Sequence, residues 1–143
     1  CYAHAVSIVR TAHEQRVKAE PRMIGYVTFG SNDLPRAFAF YDALFAEMDG
    51  KRAWESDTGV AWQVRRGPSL AVMKPFNGEA ATVGNGVMVA LSMRNKEDVA
   101  RVHAKALSLG AADEGAVGPR GEGFYAGYFR DLDGNKLCAF FMG

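Results

Sequence analysis

The chain has 143 residues, of which 48% are hydrophobic and 23% charged; this fits one globular domain able to fold without a disulfide or a metal. A formal net charge of +1 leaves no basic excess to neutralise phosphates, which argues against nucleic acid as a partner. No apolar run approaches a membrane span and no secretory signal is read, so no membrane partner is expected. Cys1 and Cys138 lie at opposite ends with no CxxC pair, a reducing-compartment pattern from which a cytoplasmic location is expected.

Residues 1–22 read as an N-terminal extension to a domain spanning 23–143. Ala5, Ile8, Val9, Ala12 and Val17 recur at roughly helical spacing, so a short amphipathic helix is expected there. It is either an appendage outside the domain or a helix packing on a partner chain or over a cleft. Ile24 to Gly30 reads as a strand, with Tyr26 and Thr28 on one face and Val27 and Phe29 on the other. Ser31-Asn32-Asp33 supplies turn and N-cap chemistry. Leu34, Phe38, Tyr41 and Phe45 then fall at helical spacing, Pro35 suits the first turn, and Gly50 signals the stop. Three strand-like runs follow, Lys51–Ser56, Gly59–Arg65 and Ser69–Lys74, with tight turns at Asp57-Thr58-Gly59 and Arg66-Gly67-Pro68. Pro75 to Gly86 is a polar connection.

The order then restarts. Val87–Met93 is a strand pattern. Asn95 or Lys96 opens a helix with Val99, Val102, Ala106 and Leu109 on one face, and Gly110 ends it. Ala112–Val117 is a weak strand pattern and Gly123–Arg130 a stronger one. The Gly-rich run Glu114–Gly123 reads either as a flexible lid or as an ordinary long loop. Asp131-Leu132-Asp133-Gly134-Asn135 is a turn, because these residue types tolerate positive φ and bond their own backbone. Lys136–Met142 is the last strand. The order β-α-β-β-β thus occurs twice at a period of roughly sixty residues. The expected fold is α+β: two βαβββ modules, about 23–76 and 84–143, forming curved mixed sheets around a cleft, with one helix per module on the outside. The concave space between two such sheets is the default ligand site.

Four segments sharpen this reading: Ile24-Gly25-Tyr26-Val27-Thr28-Phe29-Gly30 followed by Asn32-Asp33-Leu34; Phe40-Tyr41; Gly84-Asn85-Gly86-Val87-Met88-Val89-Ala90; and above all Tyr128-Phe129-Arg130-Asp131-Leu132-Asp133-Gly134-Asn135-Lys136-Leu137. Together they resemble the glyoxalase / bleomycin-resistance / extradiol-dioxygenase superfamily, also called vicinal oxygen chelate proteins, over residues 23–142. In metal-using members the resemblance implies ligands, usually His, Gln or Glu, on the first and last strand of each half. Carried over, these positions fall on Tyr26, on or near Ala71, on Met88 and on Cys138. None is the family's usual ligand. Ala71 has no donor atom, and Tyr26 would have to ionise far from the ordinary phenol pKa of about 10. Met88 and Cys138 are soft sulfur donors, unsuited to the hard or borderline octahedral ions of this scaffold. No metal and no other cofactor is therefore expected.

Strand parity puts Thr28 on the face of Tyr26, Met73 on that of Ala71, Ala90 on that of Met88, and Phe140 on that of Cys138. Under the resemblance these side chains line the cup, with Trp54, Trp62, Tyr125 and Tyr128 as aromatic walls. Such a lining suits a flat or hydrophobic ligand held by stacking and dispersion. The alternative is that the side chains fill the space as core. Tyr26 stands out on the supposition that its hydroxyl is buried and needs a partner. Cys138 reads as a small hydrophobe, or as a nucleophile if Lys136, on its face, lowers its pKa. Arg130, on the face of Tyr128, either aims at an anionic group or pairs with Asp131 or Asp133. His4, His13 and His103 form no set, and His103 reads as a solvated or satisfied helix histidine. The expected function is metal-independent binding of a small, largely apolar molecule in the cleft between the modules, with a homodimer implied by the resemblance. The alternatives are a lactoylglutathione-lyase-like lyase or isomerase, or a dioxygenase-type enzyme, with an unconventional metal site; and an interaction module with a filled cup.

Overall fold

A computed structural model describes residues 21–143, so the helix expected within residues 1–22 lies outside the described residues. In chain order the elements are β1 (Tyr26–Gly30), α1 (Leu34–Ala46), β2 (Lys51–Ser56), β3 (Gly59–Gln63), β4 (Ser69–Met73), β5 (Val89–Ser92), α2 (Lys96–Ser108), β6 (Ala112–Pro119), β7 (Phe124–Arg130) and β8 (Lys136–Met142). The βαβββ order runs twice, as its hydrophobic patterning predicts. Strand β6 departs from expectation: it extends to Pro119 and pairs with β7, so most of the supposed lid is sheet.

Both helices begin where their caps dictate. Asp33 Oδ1 accepts the backbone N–H of Arg36 at 3.2 Å, and Asn95 Oδ1 accepts that of Asp98 at 2.7 Å, each satisfying a donor the helix cannot. The buried face of α1 is Ala37, Phe40, Tyr41, Leu44 and Phe45; Leu34 and Phe38, expected on that face, are only half-buried at its edge. In α2, Val99, Val102 and Ala106 are buried as expected. Gly110 follows with φ 102°, a left-handed conformation that ends the helix at little cost for glycine. After α1 that conformation falls on Asp49 (φ 58°) and not on Gly50.

Each sheet has four strands and is mixed. The first runs β2-β3-β4-β1 and the second β6-β7-β8-β5, with the parallel pairs β1–β4 and β5–β8 and all other pairs antiparallel. The register repeats between modules. Thr28 stands opposite Ala71, which stands opposite Ala61 and then Trp54. Ala90 stands opposite Cys138, then Tyr128, then Gly115. The alternate residues face the helices: Phe29, Leu70, Val72 and Trp62 in one sheet, and Leu91, Leu137, Ala139 and Phe129 in the other, join a single apolar core with both helices.

The turn between β7 and β8 clasps the first module. Asp131 is buried, and its Oδ2 accepts the Tyr41 hydroxyl of α1 at 2.5 Å and Asn135 Nδ2 at 3.0 Å. Its Oδ1 accepts the backbone N–H groups of Asp133 and Asn135. Asn135 Nδ2 also donates to the Gly30 carbonyl at the end of β1, and the Asn32 N–H donates to Asp133 Oδ1. Arg36 reaches over to the Leu132 carbonyl. The Tyr41 hydroxyl and the Asn135 donors are buried, and left without Asp131 each would cost about 1–3 kcal/mol.

Candidate functional site

The cup-side face is the one turned away from the helices. On the first sheet it carries Tyr26, Thr28, Ala71, Met73 and Trp54, and on the second Ala90, Cys138, Phe140, Tyr128 and Arg130. Ala71 and Cys138 are buried in their sheets, while Tyr26 is 67% and Met88 40% exposed. Tyr26 is thus not the buried hydroxyl it was expected to be: β1 is an edge strand of its sheet, and that edge leaves its first residue open to solvent. Met88 lies just ahead of β5.

Two clefts border this surface. One, of about 760 Å³, joins Thr28 and Met73 to Thr58 and the connection from Lys74 to Thr82. The other, of about 560 Å³, is lined by Val27 and Leu70 from the helix-side face of the first sheet, by Ser69, by Phe45 and Met48 at the end of α1, and by Ala90 and Ser92 of β5 with Met88 just ahead of it. The first holds Thr28 and Met73, and the second Met88 and Ala90. Cys138 and Tyr128 meet instead by strand pairing, and Phe140 stacks on Phe124 with ring centroids 5.5 Å apart.

Trp62 and Tyr125 are corrections. Trp62 pairs with Leu70, one residue out of phase with Ala61 and Ala71, so it faces α1 and not the cup. Its ring packs on Phe38, Tyr41 and Phe45, and its indole N–H donates to Asp42 at 2.8 Å. It is also among the residues that line the second cleft. Asp42 also takes a two-pronged bond from Arg52, and that bond holds its carboxyl below the usual carboxylate range. The Trp62–Asp42–Arg52 chain has no sequence motif; only the register of β2 on β3 brings it together. Tyr125 likewise faces α2, where Lys96 lies over its ring.

Arg130 pairs with Glu114 of β6 at 2.7 Å and donates to the Gly134 carbonyl, not to Asp131 or Asp133. Asp131 is committed to the clasp, and β6 brings Glu114 alongside. His103 is buried and satisfied: Nε2 lies 3.1 Å from the Tyr128 carbonyl and 3.3 Å from Asp113 Oδ1. Burial pushes the Cys138 thiol up, and the nearby Lys136 charge opposes this only in part. A thiol raised in this way is mostly protonated at neutral pH and a poor nucleophile.

The four positions where the sequence resemblance puts ligands therefore present an exposed phenol, a methyl group, a thioether and a buried thiol. Among the described residues no three His, Cys, Asp or Glu side chains group at metal-binding distance. No helix among them is long and apolar enough to cross a membrane.

The family model described as Glyoxalase/Bleomycin resistance protein/Dioxygenase superfamily matches residues 23–139. Among solved structures the chain is similar to a glyoxalase/bleomycin resistance protein from Albidiferax ferrireducens T118, at 29% identity over 85% of this chain and 100% of that one, with a TM-score of 0.79. It is also similar to a glyoxalase-related enzyme from Fulvimarina pelagi, at 21% identity over 85% of this chain and 88% of that one, with a TM-score of 0.70. For a lactoylglutathione lyase from Agrobacterium tumefaciens the identity is 21%, the coverage 85% and 95%, and the TM-score 0.66. The last two likenesses bear on the fold alone. A comparison with curated proteins found no match.

Proposed function

The chain belongs to the glyoxalase/bleomycin resistance protein/dioxygenase superfamily over residues 23–139, and from that premise we propose that it binds a small, largely apolar molecule on its cup-side surface without a resident metal ion. The observation that carries this reading is the lining itself. Tyr26 on β1, Trp54 on β2 and Met88 just ahead of β5 are large apolar side chains left exposed, and Met88 lines the cleft of about 560 Å³, an apolar concavity of the kind that takes small ligands. The donor set does not fit the metal that the family's enzymes use. Ala71 offers no lone pair, Met88 and Cys138 are soft, and two sulfurs are too few for a closed site. Isomerisation or dioxygenation through a metal at these positions has no ligands to support it.

A homodimer belongs to the same proposal, since a second copy would cover the exposed apolar side chains and complete a cup from two sheets. A cytoplasmic location belongs to it as well, resting on cysteine usage. The test is elemental mass spectrometry after stripping and reloading with Zn, Ni, Mn, Fe and Cu, beside a thermal-shift screen of small aromatic ligands. Metal well below one per chain, with a stabilising aromatic ligand, is expected. Near-stoichiometric metal would overturn the metal-free reading and return a glyoxalase-type activity to first place.

A further inference from the structure

The clefts of the molecule differ in charge. The one of about 760 Å³ has Lys74 in its wall, and one of about 210 Å³ sets Arg65, Arg94 and Arg101 against Glu47, Asp49 and Asp98. The cleft of about 560 Å³ beside Met88 has no Asp, Glu, Lys, Arg or His among the described residues that line it, in a chain of which 23% of residues are charged. Its volume falls within the range of about 300–1,000 Å³ usual for small-molecule sites. Phe45 and Met48 at the end of α1, with Met88 ahead of β5, give it a ring and two thioethers. Such polarisable surface suits a flat apolar body.

The polar groups in the wall are few and neutral. Gln63 and Ser69 stand on either side of the turn from β3 to β4, and Ser92 is on β5. Gln63 Nε2 donates to the Gly67 carbonyl across that turn at 2.6 Å. That bond spends a donor of the amide and not its oxygen, which remains an acceptor. The Ser69 hydroxyl beside it can donate or accept. A neutral amide or hydroxyl on a ligand can exchange hydrogen bonds with such a pair. An ion would give up its hydration there and meet no opposite charge in the lining.

We propose that this cleft is a site for an uncharged small molecule and discriminates against ions of either sign. The flat apolar body lies against Phe45, Met48 and Met88, and one neutral polar group, an amide or a hydroxyl, lies at Gln63 and Ser69. This rests on the reading that the chain binds a small apolar molecule, and adds the charge of that molecule and its place.

The test is calorimetric titration of the full chain with 2-naphthamide, 2-naphthoate and 2-naphthylmethylammonium, which share a ring system and differ in charge. The amide is expected to bind about tenfold tighter than either ion, because each ion is desolvated without a partner. Ser69→Ala removes one hydroxyl and is expected to weaken the amide about fivefold. Ser69→Asp places a carboxylate in the wall and is expected to bring the ammonium probe to the affinity of the amide or beyond it. Should Ser69→Asp fail to fold, Ser69→Ala alone decides. Equal affinity for the three probes, or a preference for either ion, would overturn the uncharged site and leave the binding of an apolar molecule standing. An amide affinity that Ser69→Ala leaves unchanged would overturn the placement in this cleft. Binding of no probe would overturn both the site and the reading it rests on, and is the result to expect if residues 1–20 or a second copy of the chain fill the cleft.

Discussion

The internal repeat creates two junctions where a strand-to-strand turn of one module meets a strand-to-helix turn of the other, and the two are built in opposite ways. At the first, Asp131–Asn135 meets Ser31–Asp33, and a buried carboxylate gathers four donors, one of them the Tyr41 hydroxyl. At the second, Val64 and Arg65 border Ser92, Met93 and Arg94 across an open cleft of about 210 Å³. The bonds near it are ion pairs of Arg101 with Glu47 and of Arg94 and Arg101 with Asp98, on arginines that stay largely exposed. Such pairs contribute about 0–1 kcal/mol each. The turn residues explain the difference. Asp-Leu-Asp-Gly-Asn supplies two carboxylates and an amide, while Val-Arg-Arg-Gly-Pro supplies none and places Arg65 at φ 52°. A backbone repeat is therefore not an energetic repeat. One junction is held by buried hydrogen bonds, and the other by bonds of exposed arginines beside the cleft that holds Met88 and Ala90.

Breaking the first junction should have the largest effect. Asp131→Ala leaves the Tyr41 hydroxyl and the Asn135 backbone and side-chain donors without their partner, and is expected to cost about 3 kcal/mol in urea unfolding. A loss under about 1 kcal/mol would show that the clasp is not what joins the modules.

Tyr41→Phe comes next, at about 2 kcal/mol, because it removes one donor from a buried charge. It also carries a pH signature. Burial first, and Asp131 second, push the Tyr41 phenol well above its ordinary value. The unfolded phenol ionises near about pH 10, so the stability it contributes is full below that pH and is lost as pH rises towards the folded value. Urea midpoints should therefore fall more steeply between about pH 9 and about pH 11 in the parent than in Tyr41→Phe. Parallel curves would mean that the phenol is not buried as described.

The open junction offers the smaller, opposite change. Arg65→Gly relieves a left-handed residue, worth about 1–2 kcal/mol, but adds about 0.4–1 kcal/mol of unfolded-chain freedom. A net gain of about 0.5 kcal/mol is expected, readable as a small rise in the urea midpoint.

The contrast between junctions also marks what the sequence makes legible. Elements were readable because alternation and helical spacing are local, and the Asp33 and Asn95 caps mark both helix starts. The Asp131–Asn135 turn was readable as a turn and as a family signature, but its role as a clasp was not, since Tyr41 is ninety residues away. Cup-face parity was readable for Thr28 with Tyr26 and for Phe140 with Cys138. It failed for Trp62 and Tyr125, which were placed by residue type and not by register. Arg130 pairs across strands with Glu114, and Arg120 reaches the Tyr128 ring from the end of β6, whose irregular pairing has no local signal.

Side chains on the cup face should separate stability from binding, and this is where the smallest effect on folding is expected. Tyr26→Ala and Met88→Ser remove large apolar groups that the folded chain leaves exposed, so little transfer energy is lost and no cavity is opened. Each is expected to change unfolding free energy by no more than about 0.5 kcal/mol at low protein concentration. If a ligand or a second copy covers these side chains, each variant should lower the affinity for 2-naphthamide or shift the dimer towards monomer in light scattering, because that partner alone then loses apolar contact. A variant that destabilises the isolated chain by about 2 kcal/mol would instead mean that Tyr26 and Met88 belong to its core. A variant silent in stability, naphthamide binding and oligomeric state would remove β1 and the start of β5 from the proposed site.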